Sequence, residues 1–100
     1  MAELTPLRRL QDWYASHCDG DWEHLSGIEI YTIDNPGWVV EIDLSGTDLD
    51  AADFAPVTVE RAPGDWYHCW AEGGVWRGSG GIYNFDEVLE AFLAFAAAAR

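Results

Sequence analysis

The segment IEIYTIDNPGWVVEIDL, residues 28–44, decides the fold because it contains two alternating runs separated by a turn. In the run 28–33 successive residues supply two distinct faces, and in the run 38–44 apolar and polar residues alternate throughout. A period of two is typical of a β-strand. Between the runs, Pro36 fixes one φ angle and Gly37 tolerates a positive φ at the next position. The segment therefore predicts a β-hairpin.

Further short strands are predicted beyond this hairpin, between turn-forming residues. They lie at residues 57–61, 66–71 and 75–77. The segment 45–56 is acidic and rich in turn residues, and we expect a surface loop that Leu49 and Phe54 pin to the core. The glycine-rich segment 78–81 predicts a flexible exit from the last strand.

Helical periodicity occurs near both ends of the chain. Thr5 is a favourable N-cap, Pro6 fits the first helical position, and Gly20 is placed to end this first helix. Asn84 and Glu87 stand in a capping-box-like arrangement before a second helix. Each helix has one apolar face, formed by Leu7, Leu10, Trp13 and Tyr14 in the first and by Phe85, Val88, Leu89, Phe92 and Phe95 in the second. The sequence thus predicts one α+β domain over residues 1–100, an antiparallel sheet of about five strands in a meander, flanked by an N-terminal and a C-terminal helix.

The charge balance restricts the classes of partner. Eighteen Asp and Glu residues face five Lys and Arg residues, which gives a formal net charge of −13 for 100 residues. Such a chain repels phosphate backbones and anionic lipids, so we predict that it binds neither nucleic acid nor membranes. It attracts a basic protein surface or a divalent cation. The charge also exceeds what solubility requires of a small domain.

The composition predicts a cytoplasmic protein with two thiols. No apolar run approaches the ~20 residues of a membrane span, and the first residues lack the basic and apolar regions of a secretory signal. Because the cytoplasm is reducing, we expect Cys18 and Cys69 to be free.

The polar cluster at residues 17–24, HCDGDWEH, is a candidate metal site, with His68 and Cys69 as further ligands. The spacing argues against zinc, since zinc sites draw on ligand pairs separated by two to five residues and adjacent strand residues face opposite ways. The segment also lacks the remainder of a calcium-binding loop. We therefore predict no metal and no cofactor, and expect a helix end and a loop with Trp22 packed inward.

Catalytic candidates are weak. Cys69 lies in a predicted strand with no cation or helix N-terminus to lower its pKa, and an acid, Glu72, follows where a phosphate or persulfide cradle would need free N–H groups. The glycines at 78–81 lack the Lys-Ser/Thr of a phosphate-binding loop. We predict no catalytic residues.

The six tryptophans suit both a core and a binding surface. Trp38, Trp66 and Trp70 stand at alternate strand positions, and we expect most of them to face the core. Trp76, beside Arg77 near a strand end, is predicted to be partly exposed, and tryptophan is a frequent interface anchor.

The chain resembles the immunity protein 53 family of bacterial polymorphic toxin systems. The resemblance is carried by residues 10–24, LQDWYASHCDGDWEH, by 27–30 and 32–38, and by 42–44, 66–69 and 78–81. It implies a small cytoplasmic antidote that binds and blocks a cognate toxin domain. It assigns no catalytic residue and does not name the toxin. Some relatives are labelled as rhodanese-related sulfurtransferases.

The acidic charge and the resemblance together suggest how such a toxin is bound. We expect the toxin-facing surface to include Asp19, Asp21, Glu23, Asp48, Asp50 and Asp53, with Trp22 or Trp76 as the aromatic anchor. These carboxylates would occupy a basic cleft as a phosphate mimic. Three alternatives stay open: an apolar binding face, a small thiol enzyme of sulfurtransferase type that uses Cys69 or Cys18, and a tryptophan-rich small-ligand module.

Overall fold

The predicted hairpin is confirmed in the computed structural model, which describes residues 4–99. Strands β1 (Ile28–Ile33) and β2 (Gly37–Asp43) pair antiparallel in one continuous register, with Ile28 opposite Ile42. The alternation along β2 places Val40 and Ile42 in the core, fully buried.

The other three strands form a meander that joins the hairpin at the centre of the sheet. They are β3 (Val57–Ala62), β4 (Asp65–Glu72) and β5 (Val75–Gly80). Because β5 pairs with β2, the strand order is β1-β2-β5-β4-β3, and β1 and β3 form the two edges. The five-stranded antiparallel sheet, with an N-terminal and a C-terminal helix, confirms the α+β class.

The segment 44–56 carries the chain from β2 to the far edge strand β3 as a surface loop. The Leu44 N–H donates to the Gly74 C=O over 2.8 Å, which ties the start of the loop to the turn between β4 and β5. Leu49 is fully buried, and the Phe54 ring packs edge-on against Trp76 with centroids 5.9 Å apart. Two apolar side chains therefore hold the loop in place, as predicted.

The first helix, α1 (Pro6–His17), begins as predicted. The Thr5 hydroxyl accepts a hydrogen bond from the Arg8 N–H over 3.1 Å. The helix ends at His17, and after the turn through Gly20 a four-residue helix follows, α2 (Trp22–Leu25). The predicted loop over this segment is therefore wrong for residues 22–25, because four residues contain too little periodicity to indicate a helix.

The last helix, α3 (Phe85–Ala98), starts after Asn84, but not with the predicted capping box. The Asn84 side chain makes no cap hydrogen bond and is buried. Its amide group donates to Asp65 and Glu87, over 3.0 and 2.7 Å, and its oxygen accepts from the Trp66 N–H over 3.3 Å. Asn84 thus ties the start of α3 to the start of β4.

The helices pack on one face of the sheet. α3 lies across β5, β4 and β2, and α1 packs against α3. The largest fully buried side chains lie between these layers: Trp76, Phe92, Ile42, Leu49, Leu89, Val40, Val88 and Cys69. Within residues 4–99, no helix is long and apolar enough to cross a bilayer.

The expectation that most of the three strand tryptophans face the core is wrong for Trp66 and Trp70. Cys69 is buried against the helices, so its neighbours in β4 point to the opposite face of the sheet. Trp66 and Trp70 are half-buried there. Trp38 lies on the helix side, with its ring centroid 4.9 Å from that of Phe85.

The predicted flexible exit at 78–81 is also wrong, because Gly78, Ser79 and Gly80 are the second half of β5. A Cβ atom on Gly78 would lie 2.5 Å from Val88 Cγ1 and 2.7 Å from the Trp76 ring. The glycine is therefore required by the close approach of α3, not by flexibility.

We expect Gly78→Ala to destabilise the fold by about 1–3 kcal/mol, because the added methyl overpacks the contact between β5 and α3. Urea unfolding followed by tryptophan fluorescence measures the difference. Gly27→Ala is the matched control, since a Cβ at Gly27 meets nothing within 4 Å. Equal stability of the two variants would contradict this role of Gly78.

Candidate functional site

The turn between α1 and α2 is built by its own carboxylates. Asp19 Oδ1 accepts hydrogen bonds from the N–H groups of Asp21 and Trp22, and each donor–acceptor distance is 3.0 Å. In return, the Glu23 carboxylate accepts from the N–H groups of Asp19 and Gly20, over 2.9 and 2.8 Å. Two of the predicted binding residues, Asp19 and Glu23, therefore have a structural task as well.

These hydrogen bonds favour the ionised carboxylates. Backbone N–H donors, those of Trp22 and Asp21, hold the pKa of Asp19 below its ordinary value. Backbone N–H donors likewise lower the pKa of Glu23, its own N–H first and then those of Asp19 and Gly20. Both side chains are charged at neutral pH.

Trp22 connects this turn to the loop 44–56. Its indole N–H donates to the Ser45 C=O over 2.9 Å, and its ring lies beside Gly46, where an added Cβ would meet it at 3.1 Å. The ring also packs edge-on against Trp13, with centroids 6.0 Å apart. Trp22 is only 8% exposed, so the expectation that it packs inward is confirmed.

His17 brings the second acidic segment to the first. Its Nδ1 lies 3.0 Å from the Trp13 carbonyl oxygen, and its Nε2 lies 3.5 Å from Asp48 Oδ1. Farther along the same loop, Asp50 and Asp53 are exposed and line a depression of about 510 Å³ together with Glu72. The contacts of His17 with Asp48 and of Trp22 with Ser45 thus bring the two acidic segments together. We call this surface the acidic end: Asp19, Asp21, Glu23, Asp48, Asp50 and Asp53.

No described arginine neutralises the acidic end. Each of the four pairs with carboxylates elsewhere: Arg8 with Asp12, Arg9 with Glu90, Arg61 with Asp65 and Glu87, and Arg77 with Glu41. Within residues 4–99 the only basic side chain paired to the acidic end is His17. The six carboxylates therefore produce a concentrated negative field.

Neither proposed aromatic anchor is available to a partner. Trp76 is 0% exposed, because it lies on the helix side of β5 between Phe54 and Phe92, and the prediction that it is partly exposed is wrong. Trp22 is committed to the contact with Ser45. Leu25 at the end of α2 is 92% exposed, which the sequence does not indicate because four helical residues are too few to show an apolar or a polar face.

The two thiols have opposite environments. Burial raises the pKa of Cys69 to about 12, and the neighbouring His68 faces the other side of the sheet, where its Nε2 lies 3.0 Å from Glu60. Cys18 is exposed, and its thiol donates to the Tyr14 carbonyl oxygen over 3.3 Å. Among residues 4–99, no three His, Cys, Asp or Glu side chains are grouped closely enough to hold a metal ion.

We expect a colorimetric disulfide reagent at neutral pH to modify Cys18 rapidly and Cys69 only after unfolding, because Cys69 is buried and protonated. Cys18→Ser is the control and should show no rapid reaction. Rapid reaction of Cys69 in the folded chain would contradict this assignment.

We expect Glu23→Gln to lower stability at neutral pH and to reduce the loss of stability on acidification. The folded-state pKa of Glu23 is depressed, so its stabilisation is present above the unfolded-state pKa of about 4.3 and is lost as the pH falls through the lower folded-state pKa. Urea unfolding at neutral and acidic pH measures both effects.

The control is Asp21→Asn, which removes the same charge two residues before Glu23. The Asp21 carboxylate accepts no hydrogen bond within residues 4–99. If the stability of Glu23→Gln changed with pH as steeply as that of the wild-type chain, the hydrogen bonds to Glu23 would not depend on its charge.

A family model described as Immunity protein 53 matches residues 7–97 of this chain. Neither the curated proteins nor the solved structures contain a match.

Proposed function

The chain belongs to the immunity protein 53 family, and we propose that it binds a cognate bacterial toxin domain and neutralises it through the acidic end. The observation that carries the proposal is the convergence of two acidic segments, 19–23 and 48–53, without a compensating arginine among the described residues. We further propose that it acts in the cytoplasm, where free thiols such as Cys18 and Cys69 persist.

The physical role of the acidic end is to steer and hold a basic surface. A concentrated negative field accelerates encounter with a cationic partner, and fixed carboxylates replace the phosphates that a basic cleft binds. Asp19 and Glu23 are held by backbone hydrogen bonds before the partner arrives, so little side-chain entropy is lost when they bind.

The inhibitor is proposed to be non-catalytic. The observations that support this are the buried, protonated thiol of Cys69 and the separation of His68 from it across the sheet. Inhibition then depends only on occupying the toxin, and its strength follows the affinity of the complex.

Neutralising two carboxylates of the acidic end should slow association with the toxin domain encoded beside this gene. We expect Asp50→Asn with Asp53→Asn to reduce the association rate about threefold to tenfold at low salt and to weaken its dependence on salt. Both side chains are exposed and accept no hydrogen bond within residues 4–99, so the variant should fold normally.

The matched control is Asp34→Asn with Asp86→Asn, which changes the net charge equally at the opposite end of the sheet. Association rates are measured by stopped-flow fluorescence at low and moderate salt. Equal rates for the two double variants would remove the acidic end from the binding surface, and absence of toxin binding by the wild-type chain would refute the proposed function.

A further inference from the structure

The two edges of the sheet present backbone groups that have no partner within residues 4–99. The Asp43 N–H donates to the Gly27 C=O, so alternation along the antiparallel pair turns the N–H and C=O groups of Ile28, Ile30 and Thr32 away from β2. At the other edge, the bond from the Gly81 N–H to the Trp66 C=O fixes the alternation in β4. It follows that the backbone N–H and C=O groups of Thr58 and Glu60 in β3 point away from β4.

The β3 edge is protected against pairing with another strand. Pro56 precedes the strand and Pro63 follows it, and the register shifts between Glu60 and Ala62. Prolines, bulges and charged residues are the usual means by which edge strands avoid adding further strands.

The β1 edge lacks prolines and a bulge, and its one charged residue is Glu29. Its register with β2 is unbroken over six residue pairs, and β1 contains neither proline nor a basic residue. An edge strand with a regular backbone, no proline and no bulge is a template for an added strand.

An apolar groove runs beside this edge, between α1 and β1. It has a volume of about 340 Å³ and is lined chiefly by Leu7, Leu10, Tyr14, Ile28 and Ile30. Leu7 is 45% exposed and Ile30 is 39% exposed, so the groove is open to solvent along the edge.

The opposite side of the same edge is acidic. Glu29 faces away from the groove, next to Tyr31, and is exposed; its neighbour across the strands, Glu41, pairs with Arg77. The edge therefore offers apolar contacts on one side and, on the other, the Glu29 carboxylate, which pairs with no cation among residues 4–99.

We infer that β1 accepts an extended strand of the toxin, in which apolar residues that enter the groove alternate with basic residues that meet Glu29. This inference rests on the proposed function and adds a second contact to the acidic end. The edge supplies the backbone hydrogen bonds, and the groove and Glu29 select the alternating apolar and basic side chains. The charge favours a basic strand over a second copy of this chain, since each copy has a net charge of −13.

The probe is a blocked six-residue peptide of alternating lysine and valine, the length of β1. Amide hydrogen exchange and chemical shifts should change at Ile28, Ile30 and Thr32, and not at Thr58 or Glu60. A peptide of the same composition with its lysines and valines in two blocks is the control, because it cannot present one apolar and one basic side. If both peptides bound equally, attraction by charge alone would explain the binding and the inference would fail.

A matched pair of substitutions tests the backbone contact. Thr32→Pro and Thr58→Pro each remove one outward N–H from an exposed threonine, on opposite edges. We expect Thr32→Pro to weaken peptide binding roughly fivefold, the contribution of about one hydrogen bond, and Thr58→Pro to leave it unchanged. Equal affinities would overturn the inference, as would a dimer of the wild-type chain in which β1 is already protected.

The same variants separate this inference from the proposed function. If the toxin domain binds the wild-type chain and Thr32→Pro equally well, the inhibitor role stands and the role of the edge falls. If the toxin domain does not bind the wild-type chain, the proposed function fails, and the peptide titration still decides whether β1 accepts a basic strand.

Discussion

The close contact between α3 and β5 is the constraint on which the rest of the structure depends. Because Gly78 has no side chain, Val88 and the Trp76 ring fill the space against the centre of the sheet. α3 therefore covers the middle strands, and α1 packs against α3, with Arg9 bound to Glu90, rather than across the sheet. As a result the helix side of β1 is only partly covered, and the groove at that edge is a direct consequence of where α3 lies.

The acidic end shows how a small domain tolerates concentrated charge. Three of its six carboxylates have partners within the molecule: Asp19 and Glu23 accept backbone hydrogen bonds in a turn, and Asp48 lies beside His17. Trp22, within the first acidic segment, attaches that segment to the 44–56 loop through its ring packing and its hydrogen bond to the Ser45 C=O. Local hydrogen bonding and burial of one tryptophan thus offset part of the repulsion that six nearby carboxylates create.

The sequence was sufficient for the features that depend on local pattern. Period-two alternation located the hairpin, and the Thr5-Pro6 pair located the start of α1. It was insufficient where distant segments decide the outcome. The sequence suggests flexibility at Gly78, but the glycine is needed because α3 packs closely against it. The sequence suggests that Trp76 is exposed, but Phe54 from the distant 44–56 loop covers it. The acidic residues were recognised individually, but their convergence required the contact between Trp22 and the 44–56 loop.

The strand order also determines where conformational entropy is lost when the sheet forms. Three of the four strand pairings join strands that are neighbours in sequence. Only the pairing of β2 with β5 joins strands that are distant in sequence, with Trp38 opposite Gly80. The hairpin and the meander each require short loop closures, which cost little conformational entropy. Among the strand pairings, the longest closure occurs when β2 meets β5, so we expect this pairing to limit the rate at which the sheet forms.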